Sequence, residues 1–195
     1  MCCGAMETYI CYHGTSRDSS IKILKEQRIN PSTKPDEWAG CGAYFFADWN
    51  NSGTKAAQNA FKWALKSNRK YTPTVIRAEI EAEKDWIFDL TDPENQETFH
   101  KFRECYFRAA SKRVEKGIIT ESDTKNSGGV LDCTIINTIC DEAGFRAVVK
   151  QCYINFNPYM VSGTKYPNSH IPNCTIFCLR DLQLIKHLEA YENGT

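Results

Sequence analysis

The stretch Thr8-Tyr9-Ile10-Cys11-Tyr12-His13-Gly14-Thr15-Ser16 starts the fold, because it joins an apolar run to a turn signal. Its β-branched and aromatic residues predict a short buried strand over 8–13. Ser16 or Asp18 is then suited to cap a helix over 19–25, since serine and aspartate side chains accept hydrogen bonds from the first free amides of a helix.

A second stretch has the same character: Trp38-Ala39-Gly40-Cys41-Gly42-Ala43-Tyr44-Phe45-Phe46-Ala47-Asp48. Two glycines punctuate its first half and predict a turn. The apolar run over 43–47 predicts a second short strand.

Short strands and helices fill the rest of the chain. Helices are predicted over 54–67, 96–116 and 131–143, and strands over 74–81, 86–90, 147–149, 175–179 and 182–185. We expect loops over 120–129 and 155–172, and a frayed tail after Glu189. The pattern predicts an α+β protein with a single domain over 1–195, in which residues 91–130 form a helical insertion.

Composition narrows the classes of function. The 195 residues contain 24 basic and 24 acidic side chains, so no overall charge points to a nucleic acid or a membrane. The ten cysteines form no CxxC pair and no paired Cys/His spacing, so we expect reduced thiols and no metal site. The absence of a secretory pattern and of an 18-residue apolar run predicts a cytoplasmic protein without a membrane partner.

Candidate chemistry lies at the ends of the first two strands. His13 with Gly14 offers an imidazole beside a bare backbone amide, and Tyr44 offers a stacking face after a glycine turn. Each residue alone has an ordinary structural explanation, as a core or turn residue. Together they suit a flat, amide-bearing ring attached to a sugar.

The two stretches, in this order, resemble the diphtheria-toxin-like branch of ADP-ribosyltransferases, which includes the poly-ADP-ribose polymerases. The first motif of that family is His-Gly-Thr, and the second is a glycine turn into Tyr-Phe-Ala. The resemblance implies split antiparallel β-sheets flanked by short helices, and NAD as co-substrate. It covers the first quarter of the chain and one late strand.

The resemblance also implies roles for individual residues. His13 would donate a hydrogen bond to the adenosine-side ribose of NAD, the backbone of Gly14 would pair with the nicotinamide carboxamide, and Tyr44 would stack on nicotinamide. A second aromatic residue on the next helix would complete the stack, with Trp63 slightly preferred over Phe61. Thr15 and Gly42, which belong to the two motifs, are assigned to the cofactor site with them.

The third family motif is a late strand that often carries a glutamate. Aligned to that strand, Thr175 falls at the glutamate position, so no carboxylate is expected there. The resemblance then implies Thr175 as a catalytic residue beside His13 and Tyr44, with its hydroxyl bonded to a ribose hydroxyl. Elongation of poly-ADP-ribose, which relies on that glutamate in the family, is then not expected, whereas a single transfer needs mainly a well-oriented NAD and a nearby nucleophile. Residues that could supply a base elsewhere are Glu37, Glu79, Glu81 and Asp89, and the sequence does not choose among them.

These features predict an NAD-dependent mono-ADP-ribosyltransferase that modifies a macromolecule and acts as an intracellular toxin, in phage defence or a toxin–antitoxin system. The implied partners are an antitoxin and a chaperone. Basic residues interleaved with aromatic ones over 99–116 favour RNA or single-stranded DNA as the acceptor, although a solvated helix face explains the same pattern. The alternatives are a protein-directed transferase, an NAD glycohydrolase and an inactive module that binds NAD or ADP-ribose.

Overall fold

The structure is a computed structural model that describes residues 4–51, 55–67, 71–118, 128–156 and 169–192. Seven strands form one sheet: β1 (Met6–Ser16), β2 (Ala43–Ala47), β3 (Pro73–Glu83), β4 (Ile87–Asp89), β5 (Ala147–Cys152), β6 (Cys174–Leu179) and β7 (Ile185–Ala190). The described helices are α1 (Arg17–Glu26), α2 (Ala56–Ser67), α3 (Pro93–Glu115) and α4 (Gly128–Ala143). The strand order is β4-β5-β6-β2-β1-β3-β7, and among these pairs β4 and β5 alone run parallel.

Helices pack on both faces of the sheet. On one face, Ile23 and Leu24 of α1 pack against a core that contains Phe45, Ala78 and Phe177. The other face packs against apolar residues of α2 and α4, among them Ala56, Ala60, Ile135 and Ile136. In β3 the residues Ala78, Ile80 and Ala82 are fully buried and alternate with charged ones, as expected of a strand with one buried face.

Within this one sheet, the ladder between β1 and β2 is short. All eleven residues of β1 pair with β3, from Met6 with Glu83 to Ser16 with Pro73. Towards β2 the register has two pairs, Cys11 with Ala47 and Tyr12 with Phe46. Within this described part of the chain, the second half of β1 therefore has no strand partner on the β2 side, which leaves a gap in the sheet.

The expected α+β class is confirmed, and several predicted elements lie close to their observed bounds. The strand predicted over 43–47 is β2, and Ser16 is the residue that caps α1, accepting a hydrogen bond from the amide of Ser19 at 3.3 Å. No described helix is both long and apolar enough to cross a membrane.

The prediction for the C-terminal part was wrong in two respects. Residues 182–184 form a 3-10 turn, in which the Asp181 side chain accepts from the amide of Gln183, and the strand begins only at Ile185. That strand continues past Glu189 to Ala190, which pairs with Ile76 at the edge of the sheet. Most of the two predicted loops lies outside the described residues, at 119–127 and 157–168, and α4 already begins at Gly128.

Candidate functional site

A cavity of about 340 Å³ lies at the gap between β1 and β2, and we call it the cleft. Its walls come from both strands, from the loop before β2, from α2 and from β6. They are His13, Gly14, Ser32, Lys34, Asp36, Glu37, Trp38, Tyr44, Phe45, Phe46, Trp63 and Ile176. Three of the residues singled out in the two sequence motifs, His13, Gly14 and Tyr44, thus meet at one cavity.

Gly14 lies where α2 crosses β1. A Cβ atom added at this position would lie 1.9 Å from the backbone oxygen of Ala60, which no side chain could tolerate. The glycine is therefore required by the close approach of the helix, in addition to any contact with a ligand.

His13 bridges the gap in the sheet. Its Nδ1 lies 2.8 Å from the backbone oxygen of Tyr44, and since a carbonyl oxygen only accepts, Nδ1 carries a proton. Burial lowers the pKa of His13 and outweighs this hydrogen bond, which raises it, so the ring is neutral at neutral pH. In that tautomer Nε2 is an acceptor. The donor role that the family resemblance implied for His13 does not fit, and a ribose hydroxyl would have to donate to the ring instead.

Tyr44 has its hydroxyl group fully engaged. The oxygen accepts from the amide of Ala39 at 3.0 Å and donates to the carbonyl of Gly40 at 2.6 Å. Burial raises the pKa of Tyr44 far above its usual value, so the hydroxyl stays protonated. The phenol thus clamps the turn before β2, and what it presents to the cleft is its ring.

Gly42 does not line the cleft but holds the loop that does. Its amide and carbonyl pair with Ser32 at 3.0 and 2.8 Å, which closes the loop over residues 32–42 at its base. A Cβ atom at Gly42 would lie 2.6 Å from the Sγ of Cys178 and from the backbone oxygen of Leu179. Glycine here lets β2 begin directly beside β6.

A second cavity of about 380 Å³ lies on the α1 side of His13, and we call it the helix cavity. Thr15, which is buried, lines this cavity and not the cleft. The remaining residues of its wall are Ser19, Lys22, Ile23, Glu26, Arg28, Ile29 and Asn30. His13 is the residue that the two described linings share.

The two candidates for the second aromatic residue lie in different places. Trp63 lines the cleft and packs edge-to-face against Trp38, with ring centroids 5.7 Å apart. Phe61 is 36% exposed and lies outside the cleft lining. The preference for Trp63 therefore agrees with the geometry of α2.

The structure does not bring Thr175 to the cleft. Thr175 is 1% exposed, and its hydroxyl has no hydrogen-bond partner in the part of the chain that the structure describes. The neighbouring Ile176 pairs with Phe46 and lines the cleft instead. Since successive side chains of a strand point to opposite faces, Thr175 faces away from the cleft when Ile176 faces it. An apolar side chain, and no carboxylate, occupies this wall.

The carboxylates left open by the sequence are separated by the fold. On β3, Glu79 pairs with Arg77 at 2.8 Å and Glu81 with Lys186 at 3.5 Å, both on the partly exposed face. Asp89 accepts from the indole nitrogen of Trp49 at 2.7 Å. Glu37 lines the cleft, where it accepts from the hydroxyl of Ser32.

Sequence reasoning missed the other polar residues of the cleft, which are Ser32, Lys34 and Asp36. All three belong to the loop that leads into the second motif, and their nearness to Tyr44 in the chain was the available signal. Their side chains reach the cleft because the pairing of Ser32 with Gly42 folds the loop back on itself.

The basic and aromatic helix α3 contributes nothing to the cleft. Several of its basic residues are paired, Lys101 with Glu97 at 2.6 Å and Arg103 with Asp132 at 3.0 Å. Phe99 is buried in the core, whereas Tyr106 and Phe107 are exposed. Much of the pattern that favoured a nucleic acid on this helix is thus explained by core packing and ion pairs.

Comparison with known proteins gives one partial match. Over 93 residues the chain is 33% identical to the uncharacterized protein MJ0359 of Methanocaldococcus jannaschii. The aligned region covers 45% of this chain and 40% of that protein. The chain therefore matches less than half the length of this relative. No family model and no solved structure matches the chain.

Proposed function

We propose that this chain is an NAD-dependent mono-ADP-ribosyltransferase that transfers ADP-ribose to a macromolecular acceptor. The observation that carries the proposal is the meeting of His13, Gly14, Tyr44 and Trp63 around one cavity at a gap in the sheet. Its volume of about 340 Å³ is at the lower end of the range of ligand pockets, roughly 300–1,000 Å³.

The lining of the cleft suits the nicotinamide end of NAD. Tyr44 and Trp63 supply aromatic walls for a flat ring, and the backbone of β1 beyond Tyr12 has no strand partner on this side to compete for an amide group. His13, with Nε2 as an acceptor, is placed to take a hydrogen bond from a ribose hydroxyl.

The helix cavity suits the other half of the dinucleotide. It shares His13 with the cleft, and we assign one ligand to the two cavities on that ground. Lys22 and Arg28 offer positive charge for a diphosphate, and Ser19 and Asn30 offer polar groups for a sugar.

The reaction breaks the bond between the ribose C1′ and the nicotinamide nitrogen, whose electron pair leaves with nicotinamide. Positive charge develops on the ribose, and the acceptor's nucleophile then bonds to C1′ and gives up its proton. Glu37 is our candidate to stabilise that charge and to take the proton, because it is a carboxylate on the wall of the cleft. Ile176 cannot serve either purpose.

One experiment tests the proposal. Purified chain is incubated with NAD labelled in its adenylate part, together with cell protein, RNA and single-stranded DNA, and the label on each fraction is counted. We expect transfer to one macromolecule, and a loss of about 100-fold or more in the His13→Ala, Tyr44→Ala and Glu37→Gln variants. Glu81→Gln, which removes a carboxylate far from the cleft, is the matched control and keeps the full rate.

Three results would contradict the proposal. Free ADP-ribose without a labelled acceptor would indicate an NAD glycohydrolase, and bound NAD without turnover would indicate a binding module. Failure to bind NAD at all would show that the cleft is not an NAD site. Full activity of the Glu37→Gln variant would remove only the role of that carboxylate.

A further inference from the structure

A third cavity, of about 460 Å³, adjoins the cleft through Trp38 and Trp63, and we call it the lysine cavity. Both tryptophans line the cleft and the lysine cavity, whereas His13 does not reach the latter. The remaining residues of its wall come from the end of α2, from β5 and from the segment that follows β5: Lys66, Ser67, Lys150, Cys152, Tyr153, Ile154 and Asn155. It thus lies beside the proposed nicotinamide position, and among the described residues it shares none with the wall of the helix cavity.

Aromatic rings form one part of this wall. Trp38 is 40% exposed and meets Trp63 edge-to-face, with an angle of 70° between the ring planes. Tyr153 adds a third ring. Exposed rings of this kind stack on nucleobases, and each stacked base contributes about 1–3 kcal/mol in proteins that bind single strands.

The charge of the lysine cavity differs from that of the cleft. Among the described residues its lining includes Lys66 and Lys150 and no carboxylate, whereas the cleft includes Asp36 and Glu37. The amine of Lys66 donates to the carbonyl of Asn155 at 2.7 Å, and that of Lys150 to the carbonyl of Trp38 at 3.0 Å. Each hydrogen bond uses one of three N–H donors, so both amines are held in place with donors left for an anion.

We propose that the lysine cavity binds the acceptor, and that the acceptor is a nucleotide of a single-stranded nucleic acid. The base stacks on the exposed ring of Trp38, and Lys66 and Lys150 take its phosphate groups. The inference rests on the proposed function for the transfer itself, and it names the acceptor class. A nitrogen or oxygen nucleophile of the nucleotide bonds to C1′, nicotinamide leaves with the electron pair of the broken bond, and the proton of the nucleophile goes to Glu37.

The test measures binding without catalysis. Fluorescein-labelled dT12 and rU12 are titrated with the full chain, in the absence of NAD and at several salt concentrations, and fluorescence anisotropy is recorded. We expect the double variant Lys66→Gln, Lys150→Gln to bind the favoured strand about tenfold more weakly, and to lower the salt dependence by about one to two released ions. A Lys66→Arg, Lys150→Arg variant keeps the charges and should bind within twofold of the wild type.

The matched control removes the same charge elsewhere. Lys112→Gln, Lys116→Gln changes two exposed lysines at the end of α3 and should alter the affinity by less than twofold. Equal weakening by both double variants would show that overall charge is responsible and would overturn the inference. So would wild-type affinity in Lys66→Gln, Lys150→Gln, or the absence of binding to either strand.

Nicotinamide release from NAD, measured on the same samples, separates the two proposals. Binding of the strand without nicotinamide release would contradict the transferase and leave the nucleotide site standing. Nicotinamide release with label on protein, and no binding of either strand, would contradict the nucleotide site alone. The thermal midpoint of every variant is recorded, so that unfolding is not taken for lost affinity.

Discussion

The two edges of β1 have opposite designs. Towards β3 every residue of the strand is paired, and the ladder ends only with the strand itself. Towards β2 the ladder stops after Tyr12, and the side chain of His13 takes the place of the next backbone pair by bonding to the carbonyl of Tyr44. The edge of β1 that pairs fully with β3 is part of a continuous sheet, whereas the edge that pairs only briefly with β2 borders the cleft.

Neighbouring elements hold the gap open. On one side of the gap, the backbone of α2 lies close to Gly14. On the other side, the pairing of Ser32 with Gly42 closes the loop before β2, and β2 pairs with β6. The Tyr44 hydroxyl fixes the turn within that loop. The candidate site therefore forms where part of a ladder is missing and where neighbouring elements support both sides of the gap.

The largest effect is expected where α2 supports the open edge. Gly14→Ala would force its Cβ atom against the carbonyl of Ala60, so α2 must move or the strand must bend. We expect a loss of roughly 2–4 kcal/mol in the free energy of unfolding, by analogy with severe overpacking, and loss of NAD binding in whatever remains folded. Urea unfolding and calorimetric titration with NAD measure the two effects.

Gly128→Ala is the control for this substitution. A Cβ atom at Gly128 meets nothing within 4 Å, and the residue begins α4, so alanine should be neutral or slightly stabilising. If Gly14→Ala were as stable as Gly128→Ala, α2 would not be supporting the gap.

A smaller effect is expected from a substitution on β6, which tests whether Thr175 contributes to the site or only its neighbour Ile176 does. Thr175→Val replaces a buried hydroxyl that has no partner by a methyl group of similar size. We expect the free energy of unfolding to rise by about 1 kcal/mol, since an unsatisfied buried polar group is costly. ADP-ribosyl transfer should stay within twofold of the wild type. A variant that folds but has lost transfer would restore Thr175 to the site.

The smallest effect concerns His13 and pH. Its pKa is lowered in the folded state, so between that value and the unfolded pKa of about 6.5 the unfolded chain binds more protons. Stability contributed by the neutral ring is thus present above the unfolded pKa and declines as the pH falls below it. The thermal midpoint of the wild type should therefore drop more between pH 7.5 and 5.5 than that of His13→Gln. His100→Gln, at an exposed position on α3, should keep the wild-type drop.

Some parts of the site were predictable because their signals are local. The run of five apolar residues between Gly42 and Asp48 predicts β2 with its observed bounds, and Ser16 predicts the start of α1. Other parts were not. Every residue of β6 is buried, so no alternation of polar and apolar residues indicates which of Thr175 and Ile176 faces the cleft. The proton on Nδ1 of His13 depends on a carbonyl 31 positions away in the chain.

The chain alone determined the elements, the α+β class and the glycine-flanked residues that carry the candidate chemistry, because strand, helix and turn preferences act over a few neighbouring residues. The tertiary structure decided which side chains meet: Ile176 in place of Thr175, Glu37 among four carboxylates, and two lysines beside a pair of tryptophans. Those outcomes depend on strand register, on the crossing of α2 over β1 and on the closure of one loop. Each of these is a contact between distant segments, which no local pattern specifies.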